Sequence, residues 1–160
     1  MTTRNVLEHS VDHLAIRSLI DRYTDAVNRR DWATLEKLFA DDGVWDVGGP
    51  SMPAMSFRFE GAQGCARGIA GLISSMSFVM QSNHAVTIEV SGDRATSSST
   101  INELAIAPGN PALTTIWGMY FDQIVRGADG EWRFRERKFR FAWIDTNGGA
   151  GQVIAQPPKP

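Results

Sequence analysis

Between Arg22 and Asp46 the chain reads Arg22-Tyr-Thr-Asp-Ala-Val-Asn-Arg-Arg-Asp-Trp-Ala-Thr-Leu-Glu-Lys-Leu-Phe-Ala-Asp-Asp-Gly-Val-Trp-Asp46, two helical patterns joined almost without a linker. Upstream, Ser10 suits an N-cap, Asp12 lies in a first turn, and Leu14, Ile16, Leu19, Ile20, Tyr23 and Val27 recur at near-helical spacing, which predicts a helix over Val11–Arg29. Asp31 has the chemistry of a second N-cap. Trp32, Leu35, Leu38 and Phe39 then form one apolar face, and Asp41-Asp42-Gly43 ends the helix. A tight helical hairpin follows from this pattern.

Beyond the hairpin, Val44–Val47 reads as a short strand, Gly48-Gly49-Pro50 breaks it, and Met55–Phe59 alternates as a second. Gly61–Met76 places Ile69, Leu72, Ile73 and Met76 on one helical side, against the propensity of its glycines. From Gln81 the chain turns to strands: Gln81–Val90, Arg94–Ile106, Thr114–Val125 and Glu131–Ile144, separated by glycine-containing turns. In the last of these, Trp132 and Phe134 share one parity and Phe139, Phe141 and Trp143 the other, which predicts a bulge near Glu136–Lys138. Early helices followed by long bent strands imply an α+β fold. Its expected form is a cone-shaped, strongly curved, mixed or antiparallel sheet with the N-terminal helices packed on the concave face, leaving a small-molecule cavity at the open end. The domain is expected to span 1–144, with a glycine- and proline-rich tail at 145–160 that is flexible or docked on a neighbouring subunit.

Bulk properties narrow the function classes. A chain of 160 residues with 42% hydrophobic content is long enough for one core. A formal charge of -2 supplies no positive field for a phosphate backbone, so nucleic acid is not an expected partner. No apolar run is long enough for a bilayer and no leader pattern opens the chain, which points to the cytoplasm and away from membranes. One cysteine, Cys65, and three scattered histidines make neither a disulfide nor a metal ligand set, and no phosphate-binding glycine loop occurs; no cofactor or metal is expected.

The Arg22–Asp46 segment resembles the opening hairpin of the SnoaL-like branch of the nuclear-transport-factor-2-like superfamily. Asn83-His-Ala-Val-Thr-Ile-Glu-Val-Ser-Gly-Asp-Arg-Ala95, Gly118-Met-Tyr-Phe-Asp122 and Asp129-Gly-Glu-Trp-Arg-Phe134 extend the likeness over most of the chain. The resemblance implies the same fold, with activities that range over dehydratases, a dehydrochlorinase, isomerases, polyketide cyclases and non-catalytic members.

Alternation places His84 with Val86, Ile88 and Val90, on the inward face of its strand. A core histidine bonded to a backbone carbonyl is one reading. The resemblance implies another, in which the histidine at the start of this strand transfers a proton and an acid near the helix junction orients it. Asp31 matches that acid, although helix capping also accounts for it, and Asp25 is the alternative. Tyr23, on the apolar stripe of the first helix, is either core packing or a donor to a substrate oxygen. Trp45, Phe57, Phe59 and Trp117 are candidates for the apolar wall, and Asn102, Ser99 and Glu103 for polar contacts. Arg126 falls where the resemblance implies a pocket arginine, and Tyr120 with Asp122 match a recurrent structural pair. The resulting expectation is a cofactor-independent lyase, of dehydratase or dehydrohalogenase type, or an isomerase, acting on a small apolar ring-containing molecule with His84, Asp31 and Tyr23 as catalytic residues. Polyketide-type cyclisation and non-catalytic binding are the alternatives, and a homo-oligomer, dimer or trimer, is expected.

Overall fold

A computed structural model describes residues 3–146, 148 and 152–153 of the chain. The elements run α1 (Thr3–Arg29), α2 (Trp32–Lys37), β1 (Phe39–Val47), a single 3-10 turn (Pro53–Met55), β2 (Phe57–Glu60), α3 (Ala62–Ile73), β3 (Phe78–Ser91), β4 (Arg94–Ile106), β5 (Leu113–Arg126), β6 (Trp132–Asp145) and β7 (Gln152–Val153). Along the curved sheet the strand order is β2-β1-β6-β5-β4-β3, with β7 pairing to β6 at Trp143 and Ile144. The sheet is mixed because β1 runs parallel to β6 while every other pair is antiparallel. Among the described residues no helix is long and apolar enough to cross a membrane.

The helical hairpin turns on two residues. Arg30 adopts a left-handed φ of 58°, so its N–H bonds Val27 O at 3.1 Å and the Asp31 N–H bonds Ala26 O at 2.8 Å. This pair of bonds closes α1 as a Schellman motif. Asp31 then accepts from the Thr34 N–H at 3.0 Å and opens α2. The Arg30 side chain donates to Met76 O at 2.6 Å, which ties the hairpin to the end of α3. α2 is shorter than the apolar pattern predicts, because the Phe134 N–H bonds Leu38 O at 2.9 Å and the chain joins the sheet at Phe39.

α1 buries Ile16, Leu19, Ile20, Tyr23, Ala26 and Val27 against the sheet, and each fully buried aliphatic side chain of this kind stabilises by roughly 1.5–3 kcal/mol. In α3, Gly68 has a packing reason to be glycine: a Cβ there would lie 2.4 Å from the Phe59 ring. The β6 bulge falls at Arg135, one residue ahead of its predicted place, where the register steps from Ile124↔Phe134 to Gln123↔Glu136. It puts Trp132 and Phe134 and then Arg137, Phe139 and Phe141 on the same inner face. The expectation that the tail is flexible or docked on a neighbour concerns mainly residues outside those described.

Candidate functional site

Between the inner face of the sheet, α1 and α3 lies a cavity of about 370 Å³. Its walls are mostly apolar, formed by side chains such as Trp45, Leu72, Val79, Ile101, Phe139 and Phe141, with Phe57 half exposed beside them. Room for it comes from β4, whose inner face carries Ala95, Ser97, Ser99, Ile101, Glu103 and Ala105, mostly small residues between larger ones on β3 and β5. Besides Thr114 and Thr146, the polar side chains of the lining form two pairs: Tyr23 with Tyr120, and Gln81 with Glu103.

The tyrosine pair is built from opposite sides. Tyr23 comes from α1 and Tyr120 from β5, and their hydroxyls lie 3.3 Å apart within hydrogen-bond reach. Beneath them is Arg137, fully buried, whose guanidinium carbon lies 3.7 Å from the Tyr120 ring centroid, 4.1 Å from Tyr23 and 4.3 Å from Phe134. Arg137 donates to Asp122 at 3.2 Å, and the Ser97 hydroxyl donates to the same carboxylate oxygen at 2.8 Å. Burial pushes the Asp122 carboxyl up to about 6 against the pull of Arg137. Burial likewise raises both tyrosines, Tyr23 strongly, while the cation under their rings opposes the rise. Both hydroxyls therefore stay protonated, and with one donating to the other, one O–H remains free to donate into the cavity.

The other pair sits where β3 meets β4. The Gln81 amide donates to Glu103 Oε2 at 2.6 Å. Gln81 is locked from behind by Asn28 of α1, which donates to Gln81 O at 2.9 Å and accepts from Gln81 N at 2.7 Å. Glu103 is the only carboxyl among the described lining residues, and burial raises its pKa above the ordinary value, opposed by the bond from Gln81. A carboxylate formed in such surroundings is a stronger base than one in water.

His84 is not in this cavity. The β3–β4 register shifts between Asn83↔Ile101 and Val86↔Ser99, so His84 and Ala85 form a bulge. Val79, Gln81 and Asn83 face inward before it and Val86, Ile88 and Val90 after it, which turns His84 outward to solvent. There its ring stacks on Trp117 at 5.2 Å, on the outer face of the sheet. The expected inward histidine is thus corrected. Asp31 is exposed and engaged as the α2 cap, which lowers its pKa, and it shares no hydrogen bond or ion pair with His84. The inward position near the start of β3 belongs to Gln81, and the α1 side chain that meets it is Asn28, so two amides, not a histidine and an acid, face each other there.

The remaining candidates divide. Tyr23, Trp45, Phe57 and Glu103 line the cavity, and so does Tyr120, which joins the tyrosine pair as well as the packing. Phe59 lies behind the wall, stacked on Trp45 at 5.9 Å. Asn102 lies outside the lining and donates to Ile116 O at 3.1 Å, and Trp117 is on the outer face. Arg126 is held by Asp12 at 2.7 Å and Asp93 at 3.0 Å over the Trp132 ring, away from the cavity. Asp25 pairs with Arg29 at 2.7 Å in solvent. Ser99 faces inward, buried, with no partner for its hydroxyl. Gln81, Asn28 and Arg137 were not singled out from the sequence. For Gln81 the signal was the odd-numbered alternation Val79-x-Gln81-x-Asn83, which continues inward only if a residue is inserted before Val86.

Comparison with known proteins agrees with this architecture. The model of the SnoaL-like domain matches residues 8–138. Among solved structures, a putative scytalone dehydratase from Novosphingobium aromaticivorans is 19% identical over 89% of this chain and 95% of its own, with a TM-score of 0.75. A type 2 hexachlorocyclohexane dehydrochlorinase, LinA, is 19% identical over 95% of this chain and 97% of its own, with a TM-score of 0.79. The LinA-type3 enzyme from Novosphingobium barchaimii is 20% identical over 95% and 99%, with a TM-score of 0.78. At such identities the likeness is one of fold. No curated protein matches the chain.

Proposed function

Because the chain belongs to the SnoaL-like domain family of the nuclear-transport-factor-2-like superfamily, we propose that it is a cofactor-independent lyase or isomerase that moves a proton on a small apolar ring-containing molecule. Glu103 takes the proton and Tyr23 with Tyr120 hold the oxygen on which charge develops. The observation that carries this reading is the single carboxyl among the described lining residues, half-buried and bonded to Gln81, in a lining that also holds the tyrosine hydroxyls.

The step balances without a cofactor. Glu103 as carboxylate accepts the proton from a carbon next to a substrate carbonyl, the C–H electron pair moves into an enolate, and a tyrosine hydroxyl donates to its oxygen. Return of the proton to another carbon is isomerisation; departure of a group from the β-carbon is elimination. The apolar wall excludes water, which strengthens both the base and the donor. Outside the cavity, Met80, Leu113 and Trp117 leave an apolar outer face on the sheet, which supports assembly with further copies of the chain.

Deuterium exchange next to the carbonyl of α-tetralone in heavy water, followed by NMR, tests the assignment. Glu103→Gln should slow exchange by about a hundredfold or more, while His84→Ala and Asp31→Ala leave it unchanged. Loss in His84→Ala with retention in Glu103→Gln would return the proton transfer to His84. A second reading, a non-catalytic binding module, is favoured by one observation: the paired positions on α1 and β3 carry amides, Asn28 and Gln81, which do not shuttle protons. It predicts α-tetralone binding without exchange in the unaltered protein.

A further inference from the structure

Gln81 is bonded on three of its four polar groups. Its backbone N–H and C=O are both taken by Asn28, and its side-chain Nε2 is committed to Glu103 at 2.6 Å. The fourth, Oε1, is buried and has no hydrogen-bond partner in a residue only 6% exposed that lines the cavity. A buried amide oxygen left unpaired is costly, and its partners on either side prevent Gln81 from turning away. It is an acceptor presented in a wall that is mostly apolar.

Resting on the reading of this cavity as a ligand site, we propose that Gln81 selects the ligand: the site takes an uncharged, compact, largely apolar molecule bearing a hydroxyl, whose O–H donates to Gln81 Oε1. Three features converge on that class. The volume of about 370 Å³ lies at the small end of the roughly 300–1,000 Å³ typical of ligand cavities, and suits a compact molecule. The apolar walls disfavour a charged group, which would lose its hydration there, and the one carboxyl among the described lining residues is already engaged by Gln81. The free atom on Gln81 is an acceptor, so at that place the ligand must supply a donor, while Trp45 Nε1, also buried without a partner in the lining, offers a donor to an acceptor elsewhere on the ligand. With the hydroxyl anchored at Gln81, a ligand carbon is held beside Glu103, because the two side chains are bonded to each other.

Calorimetric titration of the intact protein with β-naphthol and with naphthalene reads this directly. β-Naphthol should bind about tenfold to a hundredfold more tightly, since naphthalene buries the acceptor unpaired. Gln81→Met keeps the side-chain length and should abolish the preference, chiefly by weakening β-naphthol; Gln81→Leu, with its melting temperature compared to the unaltered protein, provides a second variant if the first fails to fold. Equal affinities in the unaltered protein, or a preference that survives both substitutions, would overturn the proposal. Binding of neither compound would overturn the reading of the cavity along with it. Neither titration depends on turnover, so a failure of the exchange test at Glu103 leaves this result to stand or fall alone.

Discussion

Asn83 and His84 are adjacent in the chain, yet Asn83 faces the interior and bonds Thr24 of α1 while His84 lies in solvent against Trp117. The two faces of the sheet differ in the same way. Inside, polar groups are few, buried and mutually bonded: Gln81 to Glu103, Tyr23 to Tyr120, Arg137 to Asp122. Outside, His84, Trp117 and Met80 are exposed and touch solvent or each other. Tyr23, Glu103, Tyr120 and Asp122, whose pKa values burial raises, all stand on or against the inner face, where loss of water shifts a pKa and strengthens a donor. A one-residue bulge decides which side chain belongs to which face.

Substitutions on the two faces should therefore differ sharply in cost. The largest effect is expected from Arg137→Met, which leaves Asp122 buried without its partner and should destabilise by about 3–5 kcal/mol in urea unfolding; a loss under about 1 kcal/mol would mean that the inner polar layer is not the support described. Gly118→Ala comes next. A Cβ there would stand 2.4 Å from the Phe139 ring, and overpacking of this kind costs about 1–3 kcal/mol, readable as a lowered melting temperature. On the outer face, His84→Ala should change stability by no more than about 0.5 kcal/mol. A larger loss would show that His84 is more buried in solution than its stack on Trp117 indicates.

Much of the fold was legible because its apolar contrast is strong. The hairpin at Arg30-Asp31 and the four long strands lie within a few residues of their expected places, and the aromatics of β6 announced its bulge through a switch of parity. The β3 bulge carried no such mark. Asn83, His84 and Ala85 are polar or small, so nothing apolar records the inserted residue, and counting back from Val86 puts His84 on the wrong face. Glu103 was named but not placed, since Ser97, Ser98, Ser99 and Thr100 alternate hydroxyl with hydroxyl and give β4 no visible inside. Arg137 was invisible for a different reason: an arginine in an arginine-rich strand reads as solvated until the three aromatic rings around it are assembled from α1, β5 and β6.

The central claim is that Glu103 is the half-buried, titratable group of a ligand cavity. Its side-chain carboxyl carbon, followed by NMR as pH is raised with and without β-naphthol, tests that most directly. Because burial favours the neutral form in the folded protein, the midpoint should lie above the ordinary 4.5, and stability contributed by the protonated group should be lost as pH rises through that midpoint. Bound β-naphthol should move the midpoint again. An ordinary midpoint that ignores the ligand would place Glu103 in water and contradict the account.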